Sequence, residues 1–331
     1  MKVLCVLNPS AAGGDAQRLW PEVSGLLQRQ NVNFDLLPLK CEVAIKDQVV
    51  ACLAAAGEGT YDVIAGIGGD GTHAGVINGM MHQWAGGPPG RMPPYAFIPL
   101  GTGNDIAKSL GIRLRDDYSA RDLRRAVSTI LHGADYRMDL GRINGTYFAD
   151  ALTIGLDCRI LKERNVSKRR IEKIPFLKFL TRGKLLYTLS LGSRFFTHEP
   201  VVTEVIVDGV HWYKGQMING VINNTRIYAG DFDFNMEAYP DDGLLDVVMF
   251  TDHADYLTRY LLAIRHNPDK IREYSDELHR RSMHIQGRDI EIRLARRQPA
   301  QLDGEEFRDD ALFKVSAIPR ALSIKTPAEP M

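Results

Sequence analysis

Gly68-Gly69-Asp70-Gly71-Thr72 is the stretch of this chain whose residue types and spacing point most directly to chemistry. A short apolar run, Tyr61 to Ile67, leads into it, and an amphipathic segment follows with Val76, Ile77, Met80 and Met81 on one face. Strand, glycine loop and helix N-terminus together make a cradle for phosphate. Glycines let the anion approach, backbone N–H groups point at it, and the helix dipole favours negative charge. Asp70 is the odd member, because a carboxylate repels phosphate unless a divalent cation stands between them or the acid takes part in the reaction. A tight strand-to-helix turn with no ligand is the plainer alternative. Phosphoryl transfer asks a protein mainly for positioning and charge neutralisation. Mg²⁺ would serve the second need through oxygen ligands and retained waters.

The elements that must hold this loop follow from periodicity. Lys2 to Leu7 reads as a buried strand ending in the loop Asn8 to Gly14, and Asp15 can cap the helix after it. Phe34 to Leu39 is a second strand, and Ile45, Val49, Leu53 and Ala56 mark one face of a helix. Tyr95 to Leu100 leads into Gly101-Thr102-Gly103, with Asn104 placed as an N-cap and Gly111 as a C-terminal stop. A last helix covers about Ala120 to Leu131. Strands alternating with helices predict a three-layer α/β domain with a parallel sheet.

The period changes after Asp135. Arg137 to Ile143 and Thr146 to Ile154 flank Asn144-Gly145, and Val201 to Val207 and Val210 to Tyr213 flank Asp208-Gly209, both strong hairpin signals. Further strand-like runs continue to Leu302, interrupted by a helix carrying Tyr256, Tyr260, Leu261 and Ile264. This half is expected to be a mainly β sandwich. The predicted division is an α/β nucleotide-binding domain over 1–134, a β-rich domain over 135–310, and a return of 311–331 to the first domain.

The loop GGDGT resembles the shared signature of the diacylglycerol, sphingosine and NAD kinase superfamily. Pro99-Leu100-Gly101-Thr102-Gly103-Asn104-Asp105-Ile106-Ala107-Lys108 is similar to the PLGTGND block of diacylglycerol kinase catalytic domains. The chain resembles the soluble bacterial lipid kinases of that group almost end to end. The resemblance implies ATP bound between the two domains, with contacts from Gly68, Gly69, Asp70, Gly71, Thr72, His73 and Thr102, and from Asn8 and Cys41 in the loops after the first two strands. It also implies an Asp–water–Mg²⁺ network of Asp70, Asp105 and Asp139. From the residues alone, Asp105 could equally only start its helix and Asp139 only end a turn. One departure is visible: the usual Glu after GGDGTxx is Gly75 here.

Leu302-Asp303-Gly304-Glu305 resembles the family block whose Glu is the proposed proton acceptor. It implies Glu305 as general base, the role an acceptor hydroxyl requires, with Asp303 as its neighbour. DGE by itself is a common hairpin turn. Asp241-Asp242-Gly243-Leu244-Leu245-Asp246 matches a block that binds a structural Mg²⁺ in bacterial members. There Asp242 would be the side-chain ligand, with the carbonyls of Tyr239 and Leu244.

Lys+Arg and Asp+Glu both number 41, so no global field argues for nucleic acid. Four scattered cysteines lack metal or disulfide spacing and suit a reducing cytosol. The N-terminal stretch is too short and too early polar for a signal peptide, and no apolar run is long enough to span a bilayer. Between Lys162 and Arg194, ten Lys/Arg face two Glu, interleaved with Ile171, Phe176, Leu177 and Phe179. Such a segment suits an anionic membrane surface, though a docking arm for the other domain or for a second subunit of a homodimer fits the composition equally. The expectation is a cytoplasmic, peripherally membrane-associated lipid kinase acting on diacylglycerol to give phosphatidic acid. A ceramide or sphingoid-base kinase is the alternative; an NAD kinase or a non-catalytic relative ranks behind both.

Overall fold

The computed structural model describes residues 1–84, 92–101, 103–112, 114, 118–172, 195, 197–228, 232–233, 238–264 and 283–327. The first half is the expected three-layer unit. Strands β1 (Lys2–Leu7), β2 (Asn33–Pro38), β3 (Val63–Gly68) and β4 (Tyr95–Pro99) lie parallel in the order β2-β1-β3-β4. The near-continuous apolar sequences of β1, β3 and β4 are what a sheet covered on both faces demands, while β2 lies at the edge and is only partly covered. Helices α1 (Asp15–Arg29) and α5 (Ala120–His132) cover one face through Val23, Leu27, Leu123, Val127 and Ile130. Helices α2 (Ile45–Ala56), α3 (Asp70–Gln83) and the single turn α4 (Asp105–Ser109) cover the other through Val49, Leu53, Val76, Ile77 and Ile106. Each such side chain contributes roughly 1.5–3 kcal/mol on burial.

The second half is an antiparallel β domain. Its strands include β5 (Ala134–Ile143), β6 (Thr146–Phe148), β7 (Ala151–Gly155), β8 (Val201–Val207), β10 (Asn219–Asn223), β13 (Leu245–Phe250), β15 (Asp289–Leu302) and β16 (Glu305–Thr326). One apolar core lies among β7, β8, β10, β13, β15 and β16, with Ile154, Val205, Ile222, Val247, Ile292 and Phe313 fully buried. A second, smaller layer forms beneath α6 (Leu156–Glu172) and α7 (His253–Ile264). Strand β16 joins the halves: Leu302 to Val315 of the hairpin pairs within the β domain, while Ile324 lies beside Tyr95 of β4 in parallel.

Three local expectations change. The run Thr146 to Ile154 is broken at Ala149 and Asp150, whose N–H groups bind Asp303 instead of a strand. Asn104 does not cap α4 with its side chain; it sits left-handed at φ 57°, a conformation Asn tolerates, and its Nδ2 donates to the Gly101 carbonyl. Helix α1 is preceded by Gly14 at φ 104°, and Asp15 pairs with Arg18 rather than capping.

Candidate active site

The two glycine loops meet backbone to backbone. A β-carbon on Gly101 would stand 2.4 Å from the Gly69 α-carbon, so neither position accepts a side chain without separating the loops. Asn8 braces the same place from β1, its Nδ2 donating to the Thr72 hydroxyl at 2.9 Å. Asp70 begins α3 with its carboxylate turned toward the second loop. Oδ2 accepts the Asn104 N–H at 2.6 Å, while Oδ1 is buried with no hydrogen-bond partner among the described residues. Burial raises its pKa, against the backbone N–H groups of residues 104 to 106 that favour the ionised form. Asp105 joins it: a β-carbon on Gly103 would meet Asp70 Oδ2 at 2.8 Å and Asp105 Oδ1 at 3.3 Å. Thr102 lies outside the described residues.

His73 is in the loop by sequence but beneath it in space. Its imidazole is fully buried, 2.6 Å from the Tyr95 hydroxyl and stacked obliquely on Phe97. Burial lowers its pKa to about 3, so the ring is neutral and supports the loop from the core. Gly75, where the family resemblance leads one to expect a Glu, has a packing reason. A β-carbon there would lie 2.7 Å from Cβ of Ile45, because α2 and α3 cross at Gly75 and Gly79.

The β15–β16 turn reaches into this cradle from the other domain. A β-carbon on Gly71 would lie 2.5 Å from Glu305 Oε1, so the Glu305 carboxylate stands at the first turn of α3. Asp303 does something different. Its Oδ1 accepts from the N–H of Asp150 at 2.8 Å and of Ala151 at 3.1 Å, and its Oδ2 from Ala149 at 3.0 Å. It is 4% exposed, at φ 46°, and burial pushes its pKa up to about 6. Asp303 thus fastens the turn that presents Glu305. Asp150 is a residue the motifs did not reveal. Its side chain accepts from the Thr225 hydroxyl, and burial, with Asp105 and Asp303 nearby, raises its pKa well above the ordinary value. Only the break between β6 and β7 brings it here, and no spacing rule announces that break.

Asp139 is fully buried but serves the Asp242 loop. Its Oδ2 accepts the Gly243 N–H and its Oδ1 the Arg320 N–H, both at 2.6 Å, and its own N–H donates to the Pro240 carbonyl. Asn224 links this side to the rest, its Nδ2 donating to the carbonyls of Asp139 and Ala149 at 2.9 Å. Asp242 Oδ1 accepts from Leu244 N–H at 2.9 Å, and burial followed by the charges of Asp246, Asp139 and Asp241 raises its pKa. Tyr239 is exposed beside it, as is Cys41 after β2. Among the described residues no three His, Cys, Asp or Glu side chains converge on one metal position. The orphaned Asp70 oxygen and the crowded acids around Asp242 nevertheless suit hard cations, which take one or two carboxylates and fill their shells with water and phosphate oxygens.

Of the basic segment, α6 is described as a helix to Glu172, and residues 173–194 lie outside the described residues. Its first turns rest on β16, where Lys162 pairs with Asp309 and Asn165 Nδ2 donates to Glu306 at 2.8 Å. Among the described residues no helix is long and apolar enough to cross a membrane.

Comparison with known proteins agrees along both halves. The diacylglycerol kinase catalytic domain matches residues 2–143, and the YegS C-terminal NAD kinase beta sandwich-like domain matches residues 164–326. A diacylglycerol kinase of Staphylococcus saprophyticus is 30% identical over 244 residues, covering 74% of this chain and 71% of that protein. A probable YegS-like lipid kinase of Enterobacter sp. (strain 638) is 28% identical over 272 residues, 82% and 80% of the two chains. In fold, the chain superposes on a putative diacylglycerol kinase from Bacillus anthracis with TM-score 0.71 at 22% identity, covering 100% and 96% of the two chains. An NAD kinase from Archaeoglobus fulgidus, solved in complex with ATP, shares the fold more distantly, at TM-score 0.50 and 11% identity over 99% and 94% of the two chains. Family models cover both halves and a relative at 30% identity spans most of both chains: this chain is a kinase belonging to the family of diacylglycerol kinases and YegS-like lipid kinases.

Proposed function

We propose that the protein transfers the γ-phosphoryl group of ATP to the hydroxyl of a membrane lipid, with diacylglycerol as acceptor and phosphatidic acid as product. The observation that carries this reading is Glu305 standing over Gly71, which puts a candidate base from one domain against the phosphate loop of the other. Backbone N–H groups at the start of α3 and the glycines of both loops hold the triphosphate. Mg²⁺, when bound, neutralises phosphate charge, and Asp70 with Asp105 would hold it here, while Asp242 and the carbonyls of Tyr239 and Leu244 would hold a supporting cation. Glu305 takes the proton from the acceptor hydroxyl as its oxygen bonds to the γ-phosphorus and the bond to the departing ADP breaks. Asp303 keeps the turn in register by holding Ala149 to Ala151.

The acceptor is supported by the PLGTGND block and by relatives that bear the name diacylglycerol kinase. Labelled ATP offered with diacylglycerol, ceramide, sphingosine, phosphatidylglycerol and NAD tests it directly. Label in phosphatidic acid, well above the other products, is the expected result. Label in ceramide or sphingosine phosphate moves the acceptor, and label only in NADP overturns the lipid reading. Hydrolysis or transfer absent from all five identifies a non-catalytic relative.

A further inference from the structure

Two amide side chains of the β domain, Asn223 and Gln298, are buried with no hydrogen-bond partner among the described residues, and of the two Asn223 lies beside Ala151, which bonds to Asp303. Asn223, the last residue of β10, is 1% exposed, and neither its Oδ1 nor its Nδ2 has a hydrogen-bond partner among the described residues. An amide in this state has given up its bonds to water for none in return, which costs stability. Its neighbours are differently placed. Asn219, on the same face of the strand, is satisfied at both ends by Asp157, with bonds of 2.7 and 3.1 Å. Asn224 and Thr225 donate to Asp139, Ala149 and Asp150.

The surroundings of Asn223 describe what it could meet. It shares its face with Val221, in the apolar layer of Leu156, Ile160 and Val248 beneath α6 and α7. On one side its register partner is Asp246, already bonded to His284 at 2.7 Å. On the other it is Ala151, whose N–H and carbonyl are both bonded to Asp303. One strand therefore separates Asn223 from the turn that presents Glu305. An unsatisfied amide one strand away from the turn that carries the candidate base, beside the apolar layer of Val221 and Val248, fits a ligand of matching construction: mostly apolar, with a carbonyl close to its reactive end.

We propose that Asn223 is the specificity-determining residue for the acceptor, its Nδ2 donating to the carbonyl of the acyl linkage nearest the hydroxyl that is phosphorylated. The inference rests on the lipid-kinase reading above. A site built to donate a hydrogen bond discriminates against an analogue lacking the acceptor, because the buried donor is then left unpaired. A residue kept at a cost in stability for the sake of binding is also a familiar compromise.

The test compares 1,2-dioctanoylglycerol with 1,2-dioctylglycerol, the ether analogue with equal chains and the same hydroxyl but no carbonyl. The wild type is expected to prefer the ester by about tenfold or more in kcat/KM, the worth of one well-made hydrogen bond. Asn223→Leu is expected to lose that preference, keep its KM for ATP, and melt at a higher temperature. Asn223→Ala, which removes the amide without adding bulk, should lose the preference as well and serves if the leucine does not pack. An unchanged ester-to-ether ratio in a folded variant overturns the proposal, and with a lowered melting temperature it marks Asn223 as a structural group. A wild type that phosphorylates both acceptors equally also overturns it. A wild type that phosphorylates neither brings down the lipid-kinase reading itself, and this proposal with it.

Discussion

The carboxylate of Glu305 lies over the α-carbon of Gly71, with room for a hydrogen and for nothing larger: a methyl there would meet Oε1 at 2.5 Å and Cδ at 3.1 Å. Gly71 has no left-handed backbone angle to explain it. What a substituent at Gly71 would displace is a side chain from another domain.

That contact can be tested from both of its sides. Glu305→Gln should retain ATP affinity and reduce kcat by roughly 10²–10⁴, the usual worth of a general base. Gly71→Ala should displace Glu305 and lower kcat by at least about tenfold. Because both changes remove one function, the double variant should be no slower than Glu305→Gln alone. Rates that multiply, or a mild Glu305→Gln beside a crippling Asp303→Asn, would reject the assignment of the base.

Asp70→Asn preserves the shape of the side chain and the acceptor for the Asn104 N–H. It removes the charge at the orphaned oxygen, where a cation would stand. We expect kcat to fall by about 10² or more, in line with other preorganised electrostatic groups. Thermal stability should hold or rise, since a buried charge has gone. Activity within a few-fold of wild type and a normal melt would remove Asp70 from the mechanism.

Asp303 makes stability depend on pH with an unusual sign. Burial raises its carboxyl from 3.8 to about 6, so between those values the folded protein binds the proton that the unfolded chain has released. Its contribution is greatest below about pH 4 and declines as pH rises through 6, by about 3 kcal/mol for a shift of about two units. His73 and His198, lowered by burial to about 3 and about 4, work the other way and cost stability as pH falls below 6.5. Both histidines remain in Asp303→Asn, so the difference between the two proteins isolates the carboxyl. Urea unfolding at pH 4, 5.5 and 7 should show the variant most damaged at pH 4 and least at pH 7. A pH-independent difference would contradict the raised value.

The proposed lipid acceptor would stay in its bilayer, so the reaction proposed above calls for contact with a membrane surface. The neutral chain supplies no overall attraction, and the excess of ten Lys/Arg over two Glu from Lys162 to Arg194 is the local candidate. Each cation near an anionic surface contributes about 1 kcal/mol, so three contribute about two decades in affinity. Sedimentation with vesicles containing anionic lipid should weaken with salt and with the combined change of Lys168, Arg169 and Arg170 to Glu. Activity on vesicles should fall more than activity on detergent-dispersed substrate. If the triple variant binds and turns over like wild type, the segment contacts protein instead.

Much of this site was legible in the sequence because its glycines answer to backbone contact. Gly69 and Gly101 must touch, so GGDGT and GTGND both survive as motifs, and their strands and helices follow from plain periodicity. What was hidden depends on tertiary placement. Asn104 looks like a cap, but its left-handed turn serves Asp70 through the backbone. His73 looks like a ligand contact, but the space beneath the loop and the Tyr95 hydroxyl claim its ring. The missing acid at Gly75 becomes intelligible only when Ile45 of α2 is seen to occupy its place. Asp150 and Asn223 carry no motif, and their significance lies in what surrounds them.

Strand β16 has a consequence for how the protein is made. Leu322 and Ile324 fill the same core as Leu4, Val6 and Phe97, and Ile324 is the neighbour of Tyr95 in β4. A chain leaving the ribosome exposes β4 long before the strand that completes its sheet has been synthesised. The whole β domain is translated in between. The nucleotide half therefore waits with an open edge on its central sheet, a template for unwanted pairing. It closes only when the distant end of the chain comes back, so the α/β half expressed alone would lack the strand that lies beside β4.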